Sequence, residues 1–310
     1  MRLVVAGTPE VALPTLDALH ASDHEVIAVL TRPDAPTGRG RRLRPSPMAG
    51  RAAELGIEVL TPNRPRDEDF ISRLTELAPD CVPIVAYGAL IPAEVIALAP
   101  HGWVNLHFSL LPRWRGAAPV QRAVLAGDTE TGAVTFSLVP ELDAGPIYRT
   151  LRTPIGAEET AGDLLTRLAE VGAGLMVETM DDIAAGVQPT PQPDEGITTA
   201  AKLDVTGAQI DWQAPSDRVD RHIRGHSPAP GAWTTMPEDL GGERLKVLRC
   251  RRTEGSGAPG EVTITKRAVT VACGTGAVEL VEVQAHGKKP MRAVDWARGL
   301  RVEGPWTLGR

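Results

Sequence analysis

From residue 2 to about residue 140, short apolar runs alternate with stretches whose apolar residues recur every three or four positions, the pattern of βαβ units. The runs RLVVAG, EVIAVLT, GIEVL, DCVPIVAYG, GWVNLHF and GAVTFSLV read as strands, with helices near residues 9–20, 47–55, 68–78, 93–98 and 117–126. A long helix over roughly 160–185 closes this half. The pattern predicts an α/β fold with a mostly parallel, Rossmann-like sheet. Residues 186–199, GVQPTPQPDEGITT, hold three prolines and no apolar period, so they read as an extended linker. Beyond it an amphipathic helix (SDRVDRHIRGH) precedes strand-like runs AWTTM, ERLKVLRC, GEVTITK, AVTVACG and AVELVEVQ, and a last helix follows near MRAVDWARGL. Five short strands in so small a span predict a small OB-like β-barrel. The expected organisation is a domain over 1–188, a linker over 189–208 and a barrel domain over 209–310.

Composition adds little until charge is divided along the chain. At 310 residues and 42% hydrophobic, two domains with real cores are expected. The net charge of −6 is uneven: residues 1–205 carry 17 Lys and Arg against 27 Asp and Glu, whereas residues 206–310 carry 16 against 12. An acidic front joined to a basic back predicts that the back half meets an anion. Cys81, Cys250 and Cys273 form no CxxC pair or metal spacing, which fits structural thiols in a reducing cytoplasm. No apolar run approaches the ~20 residues of a membrane span. MRLVVAGTPE enters a strand almost at once, leaving no room for a signal peptide.

The strand GWVNLHF ends in Asn105 and His107, which alternation puts on one face near the carboxyl edge of the sheet, where open α/β folds bind ligands. VPELDAGPI places Asp143 in a turn after another strand of this region. An amide, an imidazole and a carboxylate can together stabilise an oxyanion, move a proton and orient the base. Spacing alone leaves open whether they do so or are merely satisfied polar groups. A Ser-His-Asp hydrolase using Ser109 is disfavoured, because HFSLL lacks the glycines of a nucleophile elbow. A dinucleotide site is disfavoured too: of GxGxxG only Gly7 is present, with Pro9 and Ala12 in the other positions. The tract GRGRRLRPSP, residues 38–47, reads as a loop with four arginines, either a solvated charge run or a phosphate clamp. LKVLRCRR and HGKKPMR add basic residues on or beside strands of the barrel, which makes nucleic acid a candidate partner.

With these residues in view, the chain resembles the methionyl-tRNA formyltransferase family. SLLPRWRGAAP is the most specific element, and AGTPE, RPD followed by GRG, PSP, VAYG, the Asn105-x-His107 pair, LDAG and GKKPM fall in the family's order over essentially the whole chain. Phe108 and Pro146 depart from its pattern, which usually has a small residue and a polar one there. The resemblance implies formyl transfer from 10-formyltetrahydrofolate, as donor and co-substrate, to the α-amine of methionyl initiator tRNA, with no metal, no membrane and no protein partner. It assigns catalysis to Asn105, His107 and Asp143, and folate contact to Ser109, Leu110, Leu111 and Pro112 with Val85, Tyr87 and Gly88. It makes Arg39 the probe of the tRNA acceptor end, with Arg41, Arg42 and Arg44 on the backbone and Lys246, Arg249, Lys288 and Lys289 gripping from the barrel. In this scheme the Asp143 carboxylate favours a protonated His107 ring. Folate-dependent transfer to a small amine, glycinamide ribonucleotide or an amino sugar nucleotide, and a non-enzymatic RNA-binding protein are the alternatives.

Overall fold

A computed structural model describes residues 1–37, 42–300 and 306–309. In chain order the strands are β1 (Arg2–Gly7), β2 (Glu25–Leu30), β3 (Ala35–Thr37), β4 (Arg42–Arg44), β5 (Glu58–Leu60), β6 (Val82–Val85), β7 (Trp103–His107), β8 (Glu130–Ser137) and β9 (Ile147–Pro154). Seven more follow: β10 (Ala232–Thr235), β11 (Arg244–Thr253), β12 (Glu261–Ile264), β13 (Val269–Ala272), β14 (Ala277–Ala285), β15 (Met291–Arg292) and β16 (Trp306–Thr307). The helices are α1 (Leu13–His20), α2 (Pro47–Leu55), α3 (Glu68–Leu77), α4 (Ala93–Ile96), α5 (Pro119–Ala126), α6 (Ala161–Ala184), α7 (Ser216–His226) and α8 (Ala293–Arg298). The chain divides into two compact units, one of Met1–Gly116, Thr131–Thr153 and Leu165–Thr199, the other of Ala117–Glu130, Pro154–Leu164 and Ala200–Arg310.

In the first unit a seven-stranded sheet runs in the order β5-β2-β1-β6-β7-β8-β9, parallel from β5 through β7 and antiparallel between β7 and β8. Its central strands are buried almost end to end, because helices cover parallel sheets on both faces. Val4, Ala6, Leu30, Val82, Ile84 and Trp103 pack with Phe70, Leu74 and Leu77 of α3. The chain leaves β1 toward β2 on one side and returns to β6 on the other, so the carboxyl ends of β1 and β6 form the switch point where such sheets open a crevice. There the Thr8 hydroxyl donates to the Tyr87 carbonyl at 2.8 Å. Gly7 is required for close packing: a Cβ would sit 2.6 Å from the Ala12 Cβ and 2.9 Å from the Val85 carbonyl oxygen.

The second unit curls an antiparallel sheet in the order β10-β11-β14-β13-β12-β16, with β15 added to β14. The backbone N–H of Gly309, just past β16, donates to Thr235 at the end of β10, which joins the first and last strands as a barrel does. Trp212, Ile223, Val247, Val271, Val278, Trp296 and Trp306 fill it.

Several elements differ from the sequence reading. Arg42–Arg44, expected in a loop, pairs with Ala35–Thr37 as a hairpin, and residues 38–41 lie outside the described residues. The first turn expected of a helix at 9–20 is 3-10 over Glu10–Ala12. Strand β9 went unread because IYRTLRTP is a half-exposed edge strand with little apolar alternation. Residues 190–199, read as an extended linker, bend at 194–196 and are tied down, since Thr190 exchanges two backbone hydrogen bonds with Ile147 and the Thr198 carbonyl accepts from Arg115.

Gly132 lets β8 approach β9: a Cβ there would lie 1.9 Å from the Leu151 carbonyl oxygen and 2.6 Å from Leu110 Cδ2. Because the first of these is backbone, Gly132→Ala is expected to cost about 1–3 kcal/mol, the range for overpacking, read as a lower urea midpoint at unchanged slope.

Candidate active site

Strand β7 carries the chemistry at its carboxyl end. Asn105 pairs across to Phe136 and His107 to Val134, so the two polar side chains share a face. Leu106 points to the other, where Gly172 of α6 packs within 3.0 Å of it, measured from an added Cβ. Leu111, Val134 and Phe136 form an apolar cluster beside the pair, and the Phe136 ring meets His107 edge-on at 6.3 Å. His107 is 5% exposed. The side-chain amide of Asn105 is half-buried and makes no hydrogen bond to any described residue.

The His107 ring is held by the loop that follows. Its Nε2 lies 2.9 Å from the Trp114 carbonyl oxygen; a carbonyl only accepts, so Nε2 carries the proton. Nδ1 then keeps its lone pair and faces Asp143 Oδ2 at 3.8 Å. That carboxylate oxygen also accepts from the Gly116 backbone N–H at 2.7 Å. Burial holds the His107 pKa below its ordinary 6.5, against the opposing pull of Asp143 and the Trp114 carbonyl. Asp143 favours the protonated ring, as the sequence implied, but desolvation of the charged form outweighs the nearby carboxylate, so the resting imidazole is neutral. A neutral ring with an open Nδ1 can accept a proton, and Asp143 stabilises the cation that results.

The loop expected to contact folate turns most of its side chains inward. Ser109 is fully buried and its hydroxyl donates to the Arg113 carbonyl at 2.7 Å, so it is no nucleophile for His107. Leu111 belongs to the apolar cluster, Leu110 fills the space left by Gly132, and Pro112 accepts a backbone hydrogen bond from Thr198. At the end of β6, Val85 and Tyr87 are buried while Ala86 and Gly88, both at positive φ, are exposed. What this edge offers a ligand is therefore mainly backbone. Phe108 is buried and Pro146 half-buried.

The basic residues divide. Arg42 and Arg44 are exposed on β4, and Lys288 and Lys289 are exposed before β15. Arg39 and Arg41 lie outside the described residues. Arg249 is engaged, at 2.6 Å from Asp163 and 3.8 Å from Glu282, and Lys246 donates to the Pro230 carbonyl at 2.7 Å. Among the described residues no group of three metal-ligating side chains occurs, and no helix is long and apolar enough to cross a membrane.

Family models described as "Formyl transferase" and "Formyl transferase, C-terminal domain" match residues 1–180 and 202–301. The chain belongs to the formyltransferase family. It is 58% identical to a protein of Streptomyces griseus subsp. griseus named methionyl-tRNA formyltransferase, over 100% of both chains, and 57% identical, again over 100% of both, to one of the same name from Streptomyces avermitilis. Among solved structures, an N-formyltransferase from Helicobacter canadensis in complex with folinic acid and dTDP-3-aminofucose superposes with a TM-score of 0.67 at 16% identity, over 92% of this chain and 99% of that one. At that identity the likeness concerns the fold. Within this formyltransferase, sequence reasoning missed Gln192 and Thr198, which reach the site loop from the linker. The Thr198 hydroxyl accepts from the Trp114 N–H at 2.9 Å, and Gln192 bonds the Asp143 turn. Polar residues in a proline-rich stretch carry no local signal of such a role.

The geometry fixes the sign of one titration. Asp143 raises the His107 pKa against the burial that lowers it, so removing its charge lowers the value further. NMR titration of the His107 imidazole is expected to give a pKa below 6.5 in the wild type and a lower one in Asp143→Asn.

Proposed function

We propose that this formyltransferase transfers the formyl group of 10-formyltetrahydrofolate to the α-amine of methionine esterified to initiator tRNA, in the cytoplasm. The observation that carries the reading is the pairing of an Asn105 amide that bonds no described residue with a neutral His107 whose Nδ1 is open and backed by Asp143. Full-length identity of 58% to a protein named methionyl-tRNA formyltransferase supports the choice of substrates.

The amine attacks the formyl carbon, a nitrogen–carbon bond forms, and the carbonyl oxygen becomes an oxyanion. Asn105 donates an N–H to that oxygen, a group worth most in a partly desolvated cleft. His107 Nδ1 takes the proton that the attacking nitrogen sheds, and Asp143 stabilises the imidazolium. Collapse breaks the bond between the formyl carbon and N10 of the folate. The same proton, returned from His107 to N10, completes tetrahydrofolate and formylmethionyl-tRNA. Folate is assigned to the backbone of residues 86–88 and 109–112 at the sheet edge. We assign chemistry to residues 1–188, a linker to 189–208 and much of the RNA grip to 209–310. Arg42, Arg44, Lys288 and Lys289 are exposed and suited to phosphates, Arg39 and Arg41 join them by the family resemblance, and Arg249 and Lys246 serve first to brace their own unit.

The test is tetrahydrofolate release in the presence of charged initiator tRNA, glycinamide ribonucleotide or an amino sugar nucleotide. Turnover is expected with the tRNA only, with affinity falling steeply as salt rises. His107→Ala and Asn105→Ala are each expected to lower turnover at least about tenfold, ~1.4 kcal/mol of transition-state stabilisation, with native circular dichroism. Equal turnover on a small amine, or wild-type turnover of His107→Ala, refutes the reading.

A further inference from the structure

We infer that Gln192 is a positioning residue of the transfer site, holding the Asp143 turn in the backbone conformation that keeps the carboxylate beside His107. The inference rests on the proposed roles of that pair and extends them to a residue well outside the β7 loop. Asp143 has φ +48°, the left-handed region that a residue other than glycine occupies only at a cost. Two side-chain hydrogen bonds oppose that cost. Gln192 Nε2 donates to the carbonyls of Asp143 and Gly145, each at 2.8 Å. Its Oε1 accepts from Arg115 Nε at 3.2 Å and Nη2 at 2.8 Å.

The amide is thereby saturated, two N–H groups on two carbonyls and two lone pairs on one guanidinium. Its orientation is fixed for the same reason, since a flipped amide would set oxygen against both carbonyls and NH2 against Arg115. Gln192 is half-buried while residues 191 and 193–197 are exposed, so it is the residue of that run turned toward the unit. Arg115 lies between the two other anchors of the site. Trp114 supplies the carbonyl that fixes His107, and Gly116 supplies the N–H on Asp143 Oδ2. Hydrogen bonds run from His107 to Trp114, from Arg115 to Gln192, from Gln192 to the Asp143 turn and from Gly116 to Asp143 Oδ2, and the 3.8 Å contact between Asp143 and His107 Nδ1 brings the circuit back to the ring; Gln192 and Thr198 reach it from the linker. The turn has little room to adjust, because a Cβ on Gly145 would lie 1.7 Å from the Ser137 carbonyl oxygen.

The test uses Gln192→Met, which keeps the reach of the side chain and removes its donors and acceptor. Released from its tether, Asp143 should stabilise the His107 cation less. The His107 pKa read by NMR is expected to fall toward the Asp143→Asn value. In the Asp143→Asn background the same substitution should produce no further shift. The kcat is expected to fall roughly tenfold, within the ~10²-fold that a 1 Å misplacement can cost, at nearly unchanged KM for both substrates. An unmoved His107 pKa in Gln192→Met, with Asp143→Asn shifting it, overturns this inference alone; an unmoved value in Asp143→Asn overturns the reading of the pair itself. The wild-type protein gives a reading that needs no variant: the Gln192 side-chain amide protons should exchange slowly with solvent, and exchange at the rate of a free glutamine refutes the tether.

Discussion

The hydrogen bond between His107 Nε2 and the Trp114 carbonyl is the constraint on which the site depends. A carbonyl cannot donate, so one bond decides the tautomer, and the tautomer decides that the basic nitrogen faces Asp143 and not the protein interior. The Trp114 carbonyl must itself be held. Trp114 sits at φ +64° with its N–H on the Thr198 hydroxyl, and its neighbour Arg115 is bonded through both backbone and side chain to the same extended segment. A strand end alone could present an imidazole; it could not choose which nitrogen to present.

Two opposing electrostatic effects meet on that ring. Burial against Phe136 and the Leu111 cluster disfavours the charged form, and Asp143 favours it. Burial prevails at rest because the carboxylate is 3.8 Å away and shares its near oxygen with the Gly116 N–H. The balance suits a group that must begin neutral, take a proton briefly and return it.

The second unit applies the same chemistry to cohesion. Arg224 and Asp220, both nearly buried on α7, pair at 2.9 Å, and Arg224 also reaches the Glu159 carbonyl while the Cys250 thiol donates to Asp220. Removing one member of such a pair leaves a buried charge and typically costs about 3–5 kcal/mol. Arg249 joins this framework through Asp163. A count of basic residues therefore overstates the charge that this unit can offer an anion, because part of it is already matched inside.

The periodicities of the chain were enough to determine the Rossmann-like sheet, the long helix and the curled antiparallel unit, because each depends on which face of a local element is apolar. Alternation along β7 likewise put Asn105 and His107 on one face. The three-residue strands β3 and β4 and the half-exposed edge strand β9 escaped, since their pairing supplies the order that their side chains do not signal. The pull of Asp143 on His107 had the sign that the motif implied, but the larger opposing effect of burial was not legible, because neighbouring charge is visible in a motif and burial is not. Gln192 and Thr198 lie about 80 residues from the loop they brace, and only the folded chain brings them to it. Local pattern determines elements and the residues that they carry; tautomer, pKa and the tether of Asp143 depend on dielectric and hydrogen-bond partners that exist only once distant segments meet.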